Sequence, residues 1–277
     1  MAAEDVTLNG VSLDTYCFGL RDVSNLFTVP SRRGGNTVVP GRHGSIRTPN
    51  KRFEEAEYVL PLWLLGAESD GSVPSGSSEA IEFWKRRDEL LQLLYSPDLI
   101  VEYKRPDDIR VQAHCEVVDA VDFTRRGDEP IALVNIALAN TGAFWEDAVQ
   151  VTQVVSGPTG TIQALDAFEG ATAPMDNLRI RFDGPVNNPL LVHGQKTVQY
   201  HGVIDAGEQL VINTRDWQLT PGTGTPWSPD LRQVEFFPGP TYFELNPATP
   251  GFDVQFSHTG GGSATCQITG PRHYLSA

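Results

Sequence analysis

Ile109-Arg110-Val111-Gln112-Ala113-His114-Cys115-Glu116-Val117 alternates apolar and polar side chains, the pattern of a strand with one face buried and the other wet. Ile131-Ala-Leu-Val-Asn-Ile-Ala-Leu138 repeats the signal, with an acid-rich turn around Gly127 between the two. They predict neighbouring strands. Outward from this pair, 26 glycines and 20 prolines chop the 277 residues into short stretches rich in Val, Ile, Thr, Phe and Tyr, as strands joined by turns require. The chain therefore reads as mainly β.

One segment departs from that texture. Between Ser78 and Tyr95, residues Ile81, Trp84, Leu91, Leu94 and Tyr95 recur at helical spacing beside Glu82, Lys85, Arg86 and Glu89. This predicts an amphipathic helix over 78–95, capped by Ser78 and ended by Pro97. After Phe144-Trp145 helical periodicity does not return. Alternating stretches such as Leu178-Arg-Ile-Arg-Phe182 and Gln209-Leu-Val-Ile-Asn213 follow between turns. The expected organisation is an antiparallel β domain with one helix over 1–150 and an all-β sandwich over 151–277, the boundary lying within 147–158. Gly157-Pro-Thr-Gly-Thr161 reads as the interdomain linker, because no helix follows to make it a phosphate-binding loop.

The formal charge of −14 argues against a protein built to grip phosphate backbones. Both halves are acidic: residues 1–148 hold 15 basic and 24 acidic side chains, and 149–277 hold 6 and 11. Against that background Val23–Phe53 contains no acid and carries Arg32, Arg33, Arg42, Arg47, Lys51 and Arg52. Cys17, Cys115 and Cys266 are too sparse for a disulfide framework and read as small buried hydrophobes. The start, Met1-Ala-Ala-Glu-Asp, has acids where an export signal needs a basic flank, and the apolar run Tyr58–Ala67 is broken by Pro61 and too short for a membrane helix. Neither an export signal nor a membrane partner is expected.

Signatures of chemistry are missing. The sequence has no Gly-x-Ser-x-Gly elbow, phosphate-binding Walker loop, HExxH pair or kinase signature. His193 and His201 are separated by Gly194, and Gly202 follows His201, so turns rather than a shared metal-binding face are expected there. His114 and Cys115, adjacent in a strand, point to opposite faces and cannot form a thiol-imidazole dyad. Asp107-Asp108 and Asp128-Glu129 sit in turns. No catalytic residue, metal site or cofactor is assigned, and the chain reads as non-enzymatic.

Two stretches resemble a known family. Pro30-Ser-Arg-Arg-Gly-Gly-Asn-Thr-Val-Val-Pro-Gly-Arg-His-Gly44, followed by a strand and the Trp84 helix, is similar to the amino-terminal domain of siphophage distal tail proteins, where a Pro-Gly-Arg-x-Gly turn precedes a paired strand; Pro40, Gly41, Arg42 and Gly44 match. Ala206-Gly-Glu-Gln-Leu-Val-Ile-Asn-Thr214, then Tyr242-Phe-Glu-Leu-Asn-Pro-Ala-Thr-Pro-Gly-Phe-Asp-Val-Gln-Phe256 and a closing strand through Cys266, resemble the galectin-like carboxy-terminal sandwich of the same proteins. The departure is at Leu245, where Asn-Pro-Ala-Thr precedes Pro250-Gly251.

The resemblance implies a structural subunit of the virion tail tip, made in the bacterial host cytoplasm. It further implies a homo-hexameric ring joining the tail tube protein to the hub or tail-associated lysin and to fibre proteins, with genome DNA passing through unbound. Within that role Arg32, Arg33, Arg42 and Arg47 are candidate subunit contacts, since guanidinium forks near turns reach a neighbour's carboxylates. The rival expectation is a carbohydrate- or receptor-binding sandwich using Trp217, Trp227 and Tyr242, set against plain core and turn packing for those rings.

Overall fold

Alternation fixes which face of each strand is dry, and in the first half that face is continuous across the sheet. The computed structural model describes residues 5–13, 18–20, 22–33, 37–38, 45–46, 52–67, 71–125, 127–215, 218–221, 231–237, 243–260 and 263–277. Two compact units divide the chain: 1–148 joined by 275–277, and 149–274.

The first unit contains β1 (Asp5–Leu8), β2 (Val11–Ser12), β3 (Phe18–Leu20), β4 (Thr37–Val38), β5 (Ser45–Ile46), β6 (Ala56–Leu65), α1 (Glu79–Leu94), β7 (Leu99–Lys104), β8 (Arg110–Val117), β9 (Asp122–Arg125), β10 (Ile131–Asn140) and β11 (Trp145–Asp147). The main sheet runs β2-β1-β7-β8-β10-β6-β3, with β9 on β10 and β11 on β8, all antiparallel. Register aligns Tyr58, Leu60 and Leu62 of β6 with Leu138, Ile136 and Val134 of β10, and Val101 and Tyr103 of β7 with Ala113 and Val111 of β8. All of these side chains are buried, the large ones stabilising the unit by about 1.5–3 kcal/mol each. Pro61 lies mid-strand, where among the described residues β3 pairs with Leu62–Leu64 and not with the proline.

The two strands read from the alternation are neighbours, Leu138–Asn140 pairing with Val117–Cys115. Between them lies β9, which local alternation does not mark; the Gly127 turn joins β9 to β10. The helix forms where expected, with Ser78 accepting the Ile81 N–H. Hydrogen bonds from Lys85 (2.8 Å) and Ser77 (2.5 Å) hold the Glu82 carboxyl below its ordinary range. Of the expected apolar face Leu94 is buried and Leu91 half-buried, but the rest is turned outward. Phe83, Arg86, Leu90 and Leu94 are buried, whereas Ile81 (52%), Trp84 (47%) and Tyr95 (62%) are exposed.

At its start the helix packs closely on the chain that leaves β6. A Cβ at Gly66 would stand 2.1 Å from the Glu79 carbonyl oxygen, so the helix starts directly against the chain leaving β6. Gly66 also donates its N–H to Pro130 at 3.0 Å. Gly66→Ala is expected to cost about 1–3 kcal/mol, because neither backbone can yield cheaply; the check is a denaturant midpoint, and an unchanged value would refute the contact.

The second unit contains β12 (Val151–Gly157), β13 (Thr161–Ala164), β14 (Arg179–Asp183), β15 (Val186–His193), β16 (Lys196–Tyr200), β17 (Val203–Ile204), β18 (Gln209–Asn213), β19 (Gln218–Pro221), β20 (Val234–Phe237), β21 (Asp253–Thr259), β22 (Ala264–Gly270) and β23 (His273–Tyr274). One sheet has the order β12-β22-β14-β18-β19, the other β13-β21-β15-β16-β20 with β17 on β15. Ile180, Phe182, Leu210, Ile212, Cys266 and Ile268 of the first share a core with Leu191, Val198, Val254 and Phe256 of the second. Phe182 and Phe256 stack across it at 5.9 Å. This is a sandwich of two antiparallel sheets.

The 157–161 segment is not the interdomain linker. It joins β12 to β13 inside the second unit. Thr161 bonds back to the Pro158 carbonyl at 2.7 Å, Gly160 donates to Phe256 at 2.9 Å, and Thr159 accepts from the His258 N–H at 3.0 Å. Gly and Pro mark a turn equally well inside a domain and between domains, so composition alone does not separate the two.

Candidate interaction surfaces

Arg32 and Arg33 stand at the base of the basic segment, and both are exposed. Arg32 bridges Phe53 in antiparallel fashion, with its guanidinium 5.2 Å from the Phe53 ring. Arg33 donates its N–H to Arg52 at 2.7 Å, Glu54 to Ser31 at 2.8 Å, and the Ser31 hydroxyl bonds the Glu54 carboxylate. Farther along, Thr37 and Val38 pair with Ile46 and Ser45. The base is thus tied while, among the described residues, no carboxylate pairs with the Arg32 or Arg33 side chain. Arg42 and Arg47 lie outside the described residues.

A second surface is built on α1 and β9. The Arg87 guanidinium lies 5.0 Å from the Trp84 ring and 5.8 Å from Phe123. Arg125 reaches over Phe83 at 5.5 Å and Trp84 at 6.0 Å, while its Nη2 donates to the Asp128 and Glu129 carbonyls at 3.4 and 3.3 Å. Leu91, Tyr95, Val121 and Asp122 complete an open groove of about 380 Å³. Stacking on an aromatic face orients a guanidinium and leaves its N–H edge for a carboxylate.

His193, His201 and His114 each have hydrogen-bond partners within the fold. His193 is buried; its Nδ1 lies 2.7 Å from the Asp253 carbonyl and its Nε2 accepts the Asn246 N–H at 3.0 Å. The Asn246 carbonyl lies 3.4 Å from the same Nε2, and together these contacts anchor the stretch after Leu245. His201 is exposed and meets Glu235 at 2.9 Å, so it does not join His193. His114 sits between Asp98 (3.1 Å) and Glu146 (3.4 Å) on the sheet face opposite the buried Cys115, as the strand geometry required. Among the described residues no three His, Cys, Asp or Glu side chains are grouped to hold a metal ion, and no helix is long and apolar enough to cross a membrane.

Comparison with solved structures places the architecture. The crystal structure of the SPP1 Dit (gp 19.1) protein, described as a paradigm of the hub adsorption apparatus in phages infecting Gram-positive hosts, is similar over 97% of this chain and 99% of that one, at 14% identity and a TM-score of 0.64. This chain shares its fold with the SPP1 Dit protein. The activated phage p2 baseplate with Sr is also similar, over 97% and 98%, at 11% identity, though its TM-score of 0.42 carries no argument. No family model and no curated protein matches the sequence.

Of the two segments that suggested the resemblance, residues 40–44 of the first lie outside the described residues, and the second closes a turn of the sandwich. Gly207 adopts φ +84, Glu208 donates to Asp205 at 3.0 Å and returns its carboxylate to the Asp205 N–H at 3.0 Å, closing the turn before β18. Trp217, Trp227 and Tyr242, the candidate carbohydrate contacts, lie outside the described residues. Periodicity read Trp84 and Tyr95 as the apolar face of the helix; their exposure and the stacked arginines mark them instead as surface. The signal available in the sequence was Arg87 three residues after Trp84, on the same side of the helix.

Proposed function

We propose that the chain is a structural ring subunit of a siphophage tail tip. In this reading the first unit forms a homo-hexameric ring, and the second is a galectin-like sandwich facing the receptor-binding apparatus. The ring joins the tail tube protein to the hub or tail-associated lysin and to fibres. Genome DNA passes through without specific binding, and the subunit, made in the host cytoplasm, catalyses nothing. One observation carries the reading: the likeness to the SPP1 Dit protein runs through both units in order, over nearly the whole of both chains. A charge of −14 suits a channel that must release phosphates.

Identical acidic subunits repel unless basic groups meet acids at their contacts, and Arg32, Arg33, Arg42 and Arg47 supply such groups. Native mass spectrometry with negative-stain imaging tests the assignment. The protein, alone or mixed with the tube and hub proteins of its virion, is expected to form closed rings. Arg33→Glu with Arg42→Glu is expected to lower the assembled fraction about tenfold or more while the monomer keeps its melting temperature. A monomer in every mixture overturns the ring, and full assembly of the double variant overturns the arginine contacts.

A further inference from the structure

The aromatic groove on α1 has a complementary surface on the same unit. Along β6, alternate residues Glu57, Val59 and Trp63 point outward; Val59 is 42% and Trp63 37% exposed, and Glu54 and Glu55 stand exposed just before the strand. Register places the two patches on opposite faces of the sheet. Phe123 pairs with Val134, which pairs with Leu62 of the buried face, whereas Trp63 pairs with Leu133, which pairs with Thr124. Successive residues of a strand point to opposite faces. The groove with Phe123 and Arg125 therefore lies on one side, and the Glu57, Val59, Trp63 stripe on the other.

We propose that the groove of Trp84, Arg87, Phe123 and Arg125 receives the Glu55, Glu57, Val59, Trp63 stripe of a second copy of this chain. This rests on the ring reading above and names a contact within it. Charge complementarity selects the occupant: two guanidiniums oriented by an aromatic frame, with Asp122 on the groove lining and Arg87 Nε 4.0 Å from exposed Asp88, match a surface that carries carboxylates beside apolar side chains. A stripe of that composition lies on the chain itself. Different patches on opposite faces make the contact heterologous, each subunit giving one face and receiving with the other, which is the arrangement that closes into rings. An isologous dimer would need one self-complementary patch, and neither patch is that.

Charge exchange on the full-length protein tests it. Arg87→Glu with Arg125→Glu, and separately Glu55→Lys with Glu57→Lys, are each expected to lower the assembled fraction about tenfold at fixed concentration, and a chain carrying all four changes is expected to recover most of it. A direct measurement accompanies this: copies with Trp84→Cys mixed with copies carrying Val59→Cys should form a mixed disulfide under mild oxidation, and each variant alone should not. If the parent assembles and the charge-reversed chains assemble equally, or the mixed disulfide is missing from assembled rings, this contact is wrong and the ring reading stands. A parent that never assembles overturns both.

Discussion

Trp145→Ala is expected to lower the stability of the first unit by about 3–5 kcal/mol. Trp145 has no exposed surface and is the largest fully buried side chain among the described residues. Its ring lies 5.4 Å from that of Tyr58 at an interplanar angle of 43°, a contact worth about 0.5–1.5 kcal/mol beyond area alone. Delivery of the ring depends on a local turn. Buried Asn140 donates from Nδ2 to the Phe144 carbonyl at 2.9 Å and accepts the Gly142 N–H at 3.0 Å on Oδ1. Strand β11 then pairs Glu146 with Gln112, whose amide reaches the Glu146 carboxylate at 3.1 Å. Urea titration of the variant should move the midpoint and leave the slope unchanged. A loss under about 1 kcal/mol would mean that the site collapses without a cavity, against the packing described.

Raising the pH from 9 to 12 is expected to lower the stability of both units. Burial pushes the Tyr58 hydroxyl from 10.0 up to about 12 and the Cys115 thiol from 9.0 up to about 12, and raises the Cys266 thiol as well. These groups are neutral when protonated. Between their ordinary and folded values the unfolded chain has released protons that the folded chain retains, so stability is full below pH 9 and falls as the pH climbs. Cys115→Ala should remove its share of the alkaline slope, read from melting temperatures across that range. In the folded protein at pH 8, iodoacetamide should leave Cys115 and Cys266 unmodified, since the thiolate is the reactive form and both sulfurs are buried. Rapid native labelling of either one would contradict the burial.

Much of the fold was legible because its determinants are local. The alternation in 109–117 and 131–138 set the inward faces of β8 and β10, and Ser78 with the apolar spacing set the limits of α1. Strand β9 escaped notice because Asp122-Phe-Thr-Arg125 is short and mostly polar, and it pairs by backbone hydrogen bonds that composition does not report. Of the candidate contacts, Arg32 and Arg33 were found from an acid-free run, a signal of charge that needs no geometry. The groove was not found, since it joins helix residues 84–95 to β9 residues some thirty positions later.

By itself, then, the sequence determined the strand-rich texture, the helix near 78–95, the acidic charge with its basic exception, and the order of segments that matches the Dit fold. These follow from side-chain period and charge, which act over a few residues. Tertiary structure decided the rest: which of two apolar faces the helix buries, that Gly157–Thr161 turns within the sandwich, and that Arg87 and Arg125 meet over Trp84. Each depends on long-range packing: the register of β6, β10 and β9 in the first unit, and the bonds that tie 159–161 to Phe256 and His258 in the second. A helix with apolar residues on two sides satisfies its local preferences in either rotation, and only the surface it lands on selects one.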